Sequence, residues 1–166
     1  MALALLGGDE RMARFYYENA CQFIEYCIKT FGKDDFYIEC APSTKSDQIT
    51  VNRKLLKVAL AYDLKLVVGT DAHYLKKEDR FVHKSYLNSK GGEREVDEFY
   101  EFTYLQPPEE VREHLKESFL EEADKHIDWI FENSLELNNK IDFDSLEHHQ
   151  SIPEVEVKDY PKKGYI

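Results

Sequence analysis

Lys65-Leu66-Val67-Val68-Gly69-Thr70-Asp71-Ala72-His73-Tyr74-Leu75 is the stretch whose reading decides the fold of this chain. Leu66 to Val68 are consecutive apolar residues, two of them β-branched, which fits a strand covered on both faces, as parallel strands between helices are. Gly69 and Thr70 end the apolar pattern. Ligands and catalytic groups collect at the carboxyl ends of such strands, so Asp71 and His73 stand where chemistry is expected. A carboxylate and a neutral imidazole suit zinc, manganese or iron, and one residue between them lets both point into one cavity. The plain structural alternative is that Asp71 caps a following helix and His73 closes the strand end.

Upstream, residues 36–40 are rich in aromatic and β-branched side chains and read as a second short strand, with Glu39 near its end. Between the two strands, Val51, Leu55, Val58, Ala59 and Tyr62 recur at helical spacing, so a helix over 47–63 is expected, capped by Ser46 or Asp47. A first helix over 9–31, capped by Asp9 and stopped by Gly32, carries Met12, Phe15, Tyr16, Phe23, Ile24, Cys27, Ile28 and Phe31 as its apolar face. Helix, strand, helix, strand is the grammar of a parallel α/β sheet flanked by helices. Downstream, 77–87 reads as a short helix and 88–98 as a loop with Gly91-Gly92. Pro107-Pro108 followed by Glu109-Glu110 is a helix start, because proline suits the first turn and acids suit its dipole. A longer helix over 118–141 carries Leu120, Ala123, Ile127, Ile130, Phe131 and Leu135. Residues 1–141 therefore form the domain, and 142–166, acidic and punctuated by Pro153 and Pro161, a tail or linker.

Composition bounds the rest. At 166 residues, 42% hydrophobic and 13% aromatic, the chain builds one packed domain. Its formal net charge of −11 opposes direct, strong binding to a nucleic-acid backbone. Cys21, Cys27 and Cys40 are an odd number without a C-x-x-C pair, which points to reduced thiols in a cytoplasmic protein. The apolar residues 2–6 are too few to span a bilayer and have no basic segment before them, so no membrane association is expected.

The central stretch resembles the last metal-binding motif of the PHP (polymerase and histidinol phosphatase) domain, in the version carried by bacterial DNA polymerase III alpha subunits. Phe36-Tyr37-Ile38-Glu39, Gln48, Val51-Asn52 and 55–59 upstream, and Glu78-Asp79, His83, Tyr104-Leu105, Glu109-Glu110 and 133–137 downstream, keep that family's order and spacing. The resemblance runs from about residue 2 to 157 and implies the second half of a seven-stranded, distorted βα barrel. It makes Asp71 and His73 two ligands of a divalent transition metal. Glu39, at the end of the preceding strand, reads either as a partner that holds a ligating histidine if it points inward, rather than as a ligand itself, or as a surface or loop-contact glutamate. His83 matches a family histidine and is read as packing or hydrogen bonding. His114, His126, His148 and His149 have no ligand spacing and receive no role.

The family's histidine-x-histidine pair and the acids of its first half have no counterpart here, nor do the polymerase's palm carboxylates. A catalytic metal centre needs about three protein ligands and a place for water, so the chain alone is expected to bind metal weakly or not at all, and to be inactive. Three readings stand: a segment of the PHP domain of a replicative polymerase, its phosphoesterase-like site working, vestigial or structural; a shortened non-enzymatic scaffold module; or a phosphoesterase completed by a second chain. The partners implied are the remainder of the polymerase chain or other replisome subunits. A half barrel exposes strand edges, so self-association of the isolated chain is expected.

Overall fold

The computed structural model describes residues 10–89 and 99–142. Residues 1–9, 90–98 and 143–166 lie outside them, and with them the expected cap at Asp9 and nearly all of the segments read from sequence as a loop and a tail. The described residues form α1 (Glu10–Phe31), β1 (Tyr37–Cys40), α2 (Ser46–Tyr62), β2 (Lys65–Val68), α3 (Arg80–Asn88), α4 (Pro108–Phe119) and α5 (Ala123–Asn139), with single 3-10 turns at Lys77–Asp79, Phe99–Phe102 and Leu120–Glu122. The architecture is mixed α/β and mostly helical.

β1 and β2 pair in parallel, with Tyr37 opposite Lys65 and Cys40 opposite Val68. They are the two neighbouring parallel strands expected from the sequence, and α2 is the crossover between them. Ile38, Cys40, Leu66, Leu55, Val58, Ala59, Ile24, Leu115, Ile127 and Ile130 share one core beneath them. Gly69 N–H donates to the Cys40 carbonyl at 3.0 Å. The alternation of a parallel ladder then turns the Leu66 carbonyl and the Val68 amide away from β1. Helix α5 meets them: Asn133 Nδ2 donates to the Leu66 carbonyl at 2.9 Å, and the Val68 amide donates to Ser134 Oγ at 3.2 Å. Side chains of a helix thus satisfy the backbone that a third strand would pair, which blunts that edge. A single parallel bridge, Tyr74 to Tyr104, lies beyond the end of β2.

Helix α2 starts at Ser46, with neither Ser46 nor Asp47 as its cap: Lys45 holds the cap position without a side-chain bond to the helix. Ser43 Oγ instead accepts from the Lys45 amide at 3.1 Å, one residue too early to serve the helix. Asn52, fully buried, ties α2 to its neighbours. It donates to the Ala41 carbonyl at 2.8 Å and to Ser118 Oγ at 3.1 Å, and accepts from the Ala41 amide at 3.3 Å.

The helix expected over 118–141 begins later. Pro108 opens α4, with Glu109 and Glu110 in its first turn as the sequence suggests, but the helix ends at Phe119, and Leu120 takes φ 51°. Ser118 and Phe119 are buried while Leu120 is 63% exposed, so the chain turns the corner where the apolar rhythm looks unbroken. Arg53 secures the corner by donating to the Glu117 and Ser118 carbonyls at 2.6 and 3.2 Å. Helix α1 also departs from its expected face. It buries Ala20, Ile24 and Cys27, one stripe at i, i+4 and i+7, and leaves Phe15, Phe23 and Phe31 exposed. Its apolar residues exceed what one stripe can bury.

Candidate functional site

β2 ends at Val68, and the chain leaves its carboxyl end through Gly69 to His73. Two features shape this exit. A Cβ at Gly69 would lie 2.5 Å from Glu39 Cδ and Oε1, so the Glu39 carboxylate occupies the space that only glycine leaves open. Asp71 takes φ 46°, the left-handed region that Asp tolerates better than most residues. Together they bring Glu39, from β1, and Asp71 and His73, from the loop after β2, to the same end of the sheet.

His73 is fixed on several sides. Its amide donates to the Thr103 carbonyl at 2.7 Å, and its Nδ1 sits 2.6 Å from the Asp71 carbonyl oxygen and 3.9 Å from Asp71 Oδ2. Its ring meets His83 edge-on at 5.4 Å between centroids and Tyr100 at 5.0 Å, and those two rings touch each other at 4.7 Å. Tyr74 stacks on His83 at 5.7 Å and on Tyr104 at 6.0 Å, and donates its hydroxyl to the Tyr100 carbonyl at 2.6 Å. Leu105 N–H returns to the Tyr74 carbonyl at 3.1 Å. Burial, and then the neighbouring His73, push the His83 imidazole below its ordinary pKa. Tyr104 donates to Glu110 at 2.5 Å, and burial followed by that carboxylate raises its phenol.

Asp71 and His73 are thus neighbours in a partly open loop, with side chains 67% and 34% exposed. Both are donors of the right kind for a divalent transition metal. Among the described residues, however, no three or more His, Cys, Asp or Glu side chains come together to hold an ion. The expected reading of His83 as a packing residue agrees with its ring contacts. His114 is held by Gln106 Oε1 at 2.7 Å, and His126 faces Glu122 at 3.5 Å. His148 and His149 lie outside the described residues.

Sequence reasoning passed over Tyr100 and Thr103, which hold His73 from across the Tyr74–Tyr104 bridge. Nothing in their spacing signals it, because 26 residues separate Tyr74 from Tyr100. Tyr104-Leu105, noted only for its place in a resemblance, turns out to be the partner of that bridge.

Comparison with known proteins decides the relationship. Over 154 residues, 92% of this chain, it is 39% identical to a probable DNA polymerase, YorL, of Bacillus subtilis (strain 168). The chain is similar to a segment of DNA polymerases. It is also 32% identical over 126 residues to the DNA polymerase III subunit alpha of Thermus aquaticus, and 45% identical over 53 residues to that of Aquifex aeolicus. These matches cover 70% and 32% of the chain. The chain spans only 11% of the Bacillus relative and 9% and 4% of the Thermus and Aquifex subunits. No protein-family model matches it. Among the described residues no helix is long and apolar enough to cross a membrane.

Proposed function

We propose that this chain is the second half of a PHP-type domain, a partial distorted βα barrel, from a polymerase III alpha-like protein of the cytoplasm. In this reading Asp71 and His73 are two donors of a phosphoesterase-like metal site whose other donors come from elsewhere in a longer polypeptide or from a second chain. The observation that supports it best is the loop from Gly69 to His73, which carries both donors out of the carboxyl end of a buried parallel strand. Similarity to polymerases over 92% of the chain points the same way.

A bound zinc, manganese or iron ion would polarise a phosphoester and acidify a water molecule. The chain's own residues hold one carboxylate on a left-handed backbone turn, and one imidazole between two rings. Glu39, itself exposed, lies over Gly69 on the β1 side. Two donors leave an ion mostly hydrated, so no hydrolytic step is assigned to this chain by itself. Its net charge of −11 disfavours direct DNA contact, which fits contact made by other parts of a longer polymerase.

A second reading, a non-enzymatic brace within a polymerase, draws on the Asn133 and Ser134 bonds that close the β2 edge with a helix. Calorimetric titration with Mn2+ and Zn2+, alongside hydrolysis of bis(p-nitrophenyl) phosphate, separates the readings. The metal-site reading expects weak binding that disappears in Asp71→Asn and His73→Ala, without turnover. Binding that both variants retain overturns it in favour of the brace. Turnover lost in either variant would mean that a second copy supplies the absent donors.

A further inference from the structure

We infer that His83 and Tyr100 are positioning residues for His73, holding its ring in the tautomer that offers Nε2 to a cation. The inference rests on the proposal that His73 is a metal donor, and adds which atom binds and what aims it.

Nδ1 of His73 lies 2.6 Å from the Asp71 carbonyl oxygen. A carbonyl oxygen only accepts, so a ring nitrogen this close must carry the proton, and a neutral imidazole then has its lone pair on Nε2. One hydrogen bond leaves the ring free to rock about its axis. Two other rings remove that freedom: His83 meets His73 at an interplanar angle of 62° and Tyr100 meets it at 61°, while His83 and Tyr100 touch each other at 74°. The three form a closed set of edge-to-face contacts, the arrangement that aromatic quadrupoles favour.

The two holding rings come from separate elements, α3 and the 3-10 turn at Phe99–Phe102. Tyr74 connects them. Its ring stacks on His83 at 5.7 Å, and its hydroxyl donates to the carbonyls of Tyr100 and Glu101 at 2.6 and 3.1 Å. The residue next to His73 in sequence therefore anchors both neighbours of the His73 ring, and the His73 amide is itself fixed to Thr103. Groups that orient a metal-binding histidine set its tautomer and its affinity, and their loss commonly costs ten-fold or more in metal binding.

The test uses the full chain, metal-free, labelled with 15N-histidine at a pH of about 8, well above the ordinary imidazole value. Long-range 1H–15N spectra report each ring's tautomer, and a His73→Asn sample identifies the His73 signals. The expected result is a His73 proton on Nδ1 in the wild type and in His83→Phe, which keeps an aromatic edge. His83→Ala should give a mixture of tautomers and about ten-fold weaker Zn2+ binding. If His83→Ala does not fold, Tyr100→Leu, which keeps apolar bulk and removes the ring, is expected to give the same mixture. A wild-type proton on Nε2 overturns the inference, as does an unchanged tautomer and affinity in the ring-removing variant. Failure of the underlying metal-site reading looks different: His73→Asn would then bind Zn2+ as the wild type does, while the wild-type His73 still carries its proton on Nδ1.

Discussion

The Glu39 carboxylate lies against the bare Cα of Gly69, with room for nothing larger than hydrogen between them. Glu39 pairs in register with Val67, two residues before that glycine, so the contact crosses the sheet diagonally at its carboxyl end. Gly69→Ala should therefore move the Glu39 side chain rather than the backbone, because what a Cβ meets is the far end of a flexible chain. The expected cost is below about 1 kcal/mol in urea unfolding, and it should vanish in a Glu39→Ala background. A cost that persists without Glu39 would place the conflict in the backbone.

The closure of the β2 edge gives a larger effect. Asn133→Ala removes the donor to the Leu66 carbonyl and leaves that buried acceptor without a partner, at a cost of about 1–3 kcal/mol. Ser134→Ala should cost less, since Val68 is only half-buried. Denaturant midpoints with an unchanged slope measure both. Equal, near-zero losses would mean water replaces these side chains at no cost.

Leu120 offers a stabilising change. It is an exposed leucine at φ 51° and ψ −122°, outside the left-handed helical region, a backbone that glycine adopts freely and that strains a residue with a Cβ by about 1–3 kcal/mol. Leu120→Gly is expected to raise stability by up to about 1 kcal/mol, some of the relief being offset by the freer unfolded chain. A lower melting temperature would show that Leu120 is held by more than its neighbours in the corner.

His114 predicts a pH dependence. Burial pushes its imidazole below the ordinary 6.5, opposed by Glu110 and Glu113 and assisted by Lys77. A depressed folded value means the unfolded chain takes up the proton first. The stability involved is thus present above about 6.5 and is lost as the pH falls through the lower folded value. His114→Asn, which keeps a donor toward Gln106 but does not titrate, should flatten this part of the stability profile. An unchanged slope would assign the loss to other groups.

Much of the scaffold was legible in the sequence because its signals are local. Three apolar residues followed by Gly69 mark β2, and the spacing of Val51, Leu55, Val58 and Ala59 marks α2; all of these apolar residues are buried or partly buried as that pattern requires. Asp71 and His73 were visible as a pair because one residue separates them. What escaped reading depends on long-range contacts or on backbone angles. The corner at Leu120 interrupts no apolar rhythm, and Asn133 looks like any polar residue on a helix until it meets the Leu66 carbonyl 67 residues away. The Tyr100 clamp on His73 likewise exists only once the chain has folded back through Thr103 and Tyr104.

The central claim is that Asp71 and His73 receive a cation, and paramagnetic broadening tests it most directly. Sub-stoichiometric Mn2+ added to the 15N-labelled chain should broaden the amide signals of Gly69 to Tyr74 first. That pattern should disappear in His73→Ala, and in Asp71→Asn, which keeps the left-handed backbone accessible. Broadening centred on other acidic segments, or at residues 69–74 but indifferent to both substitutions, would contradict the account.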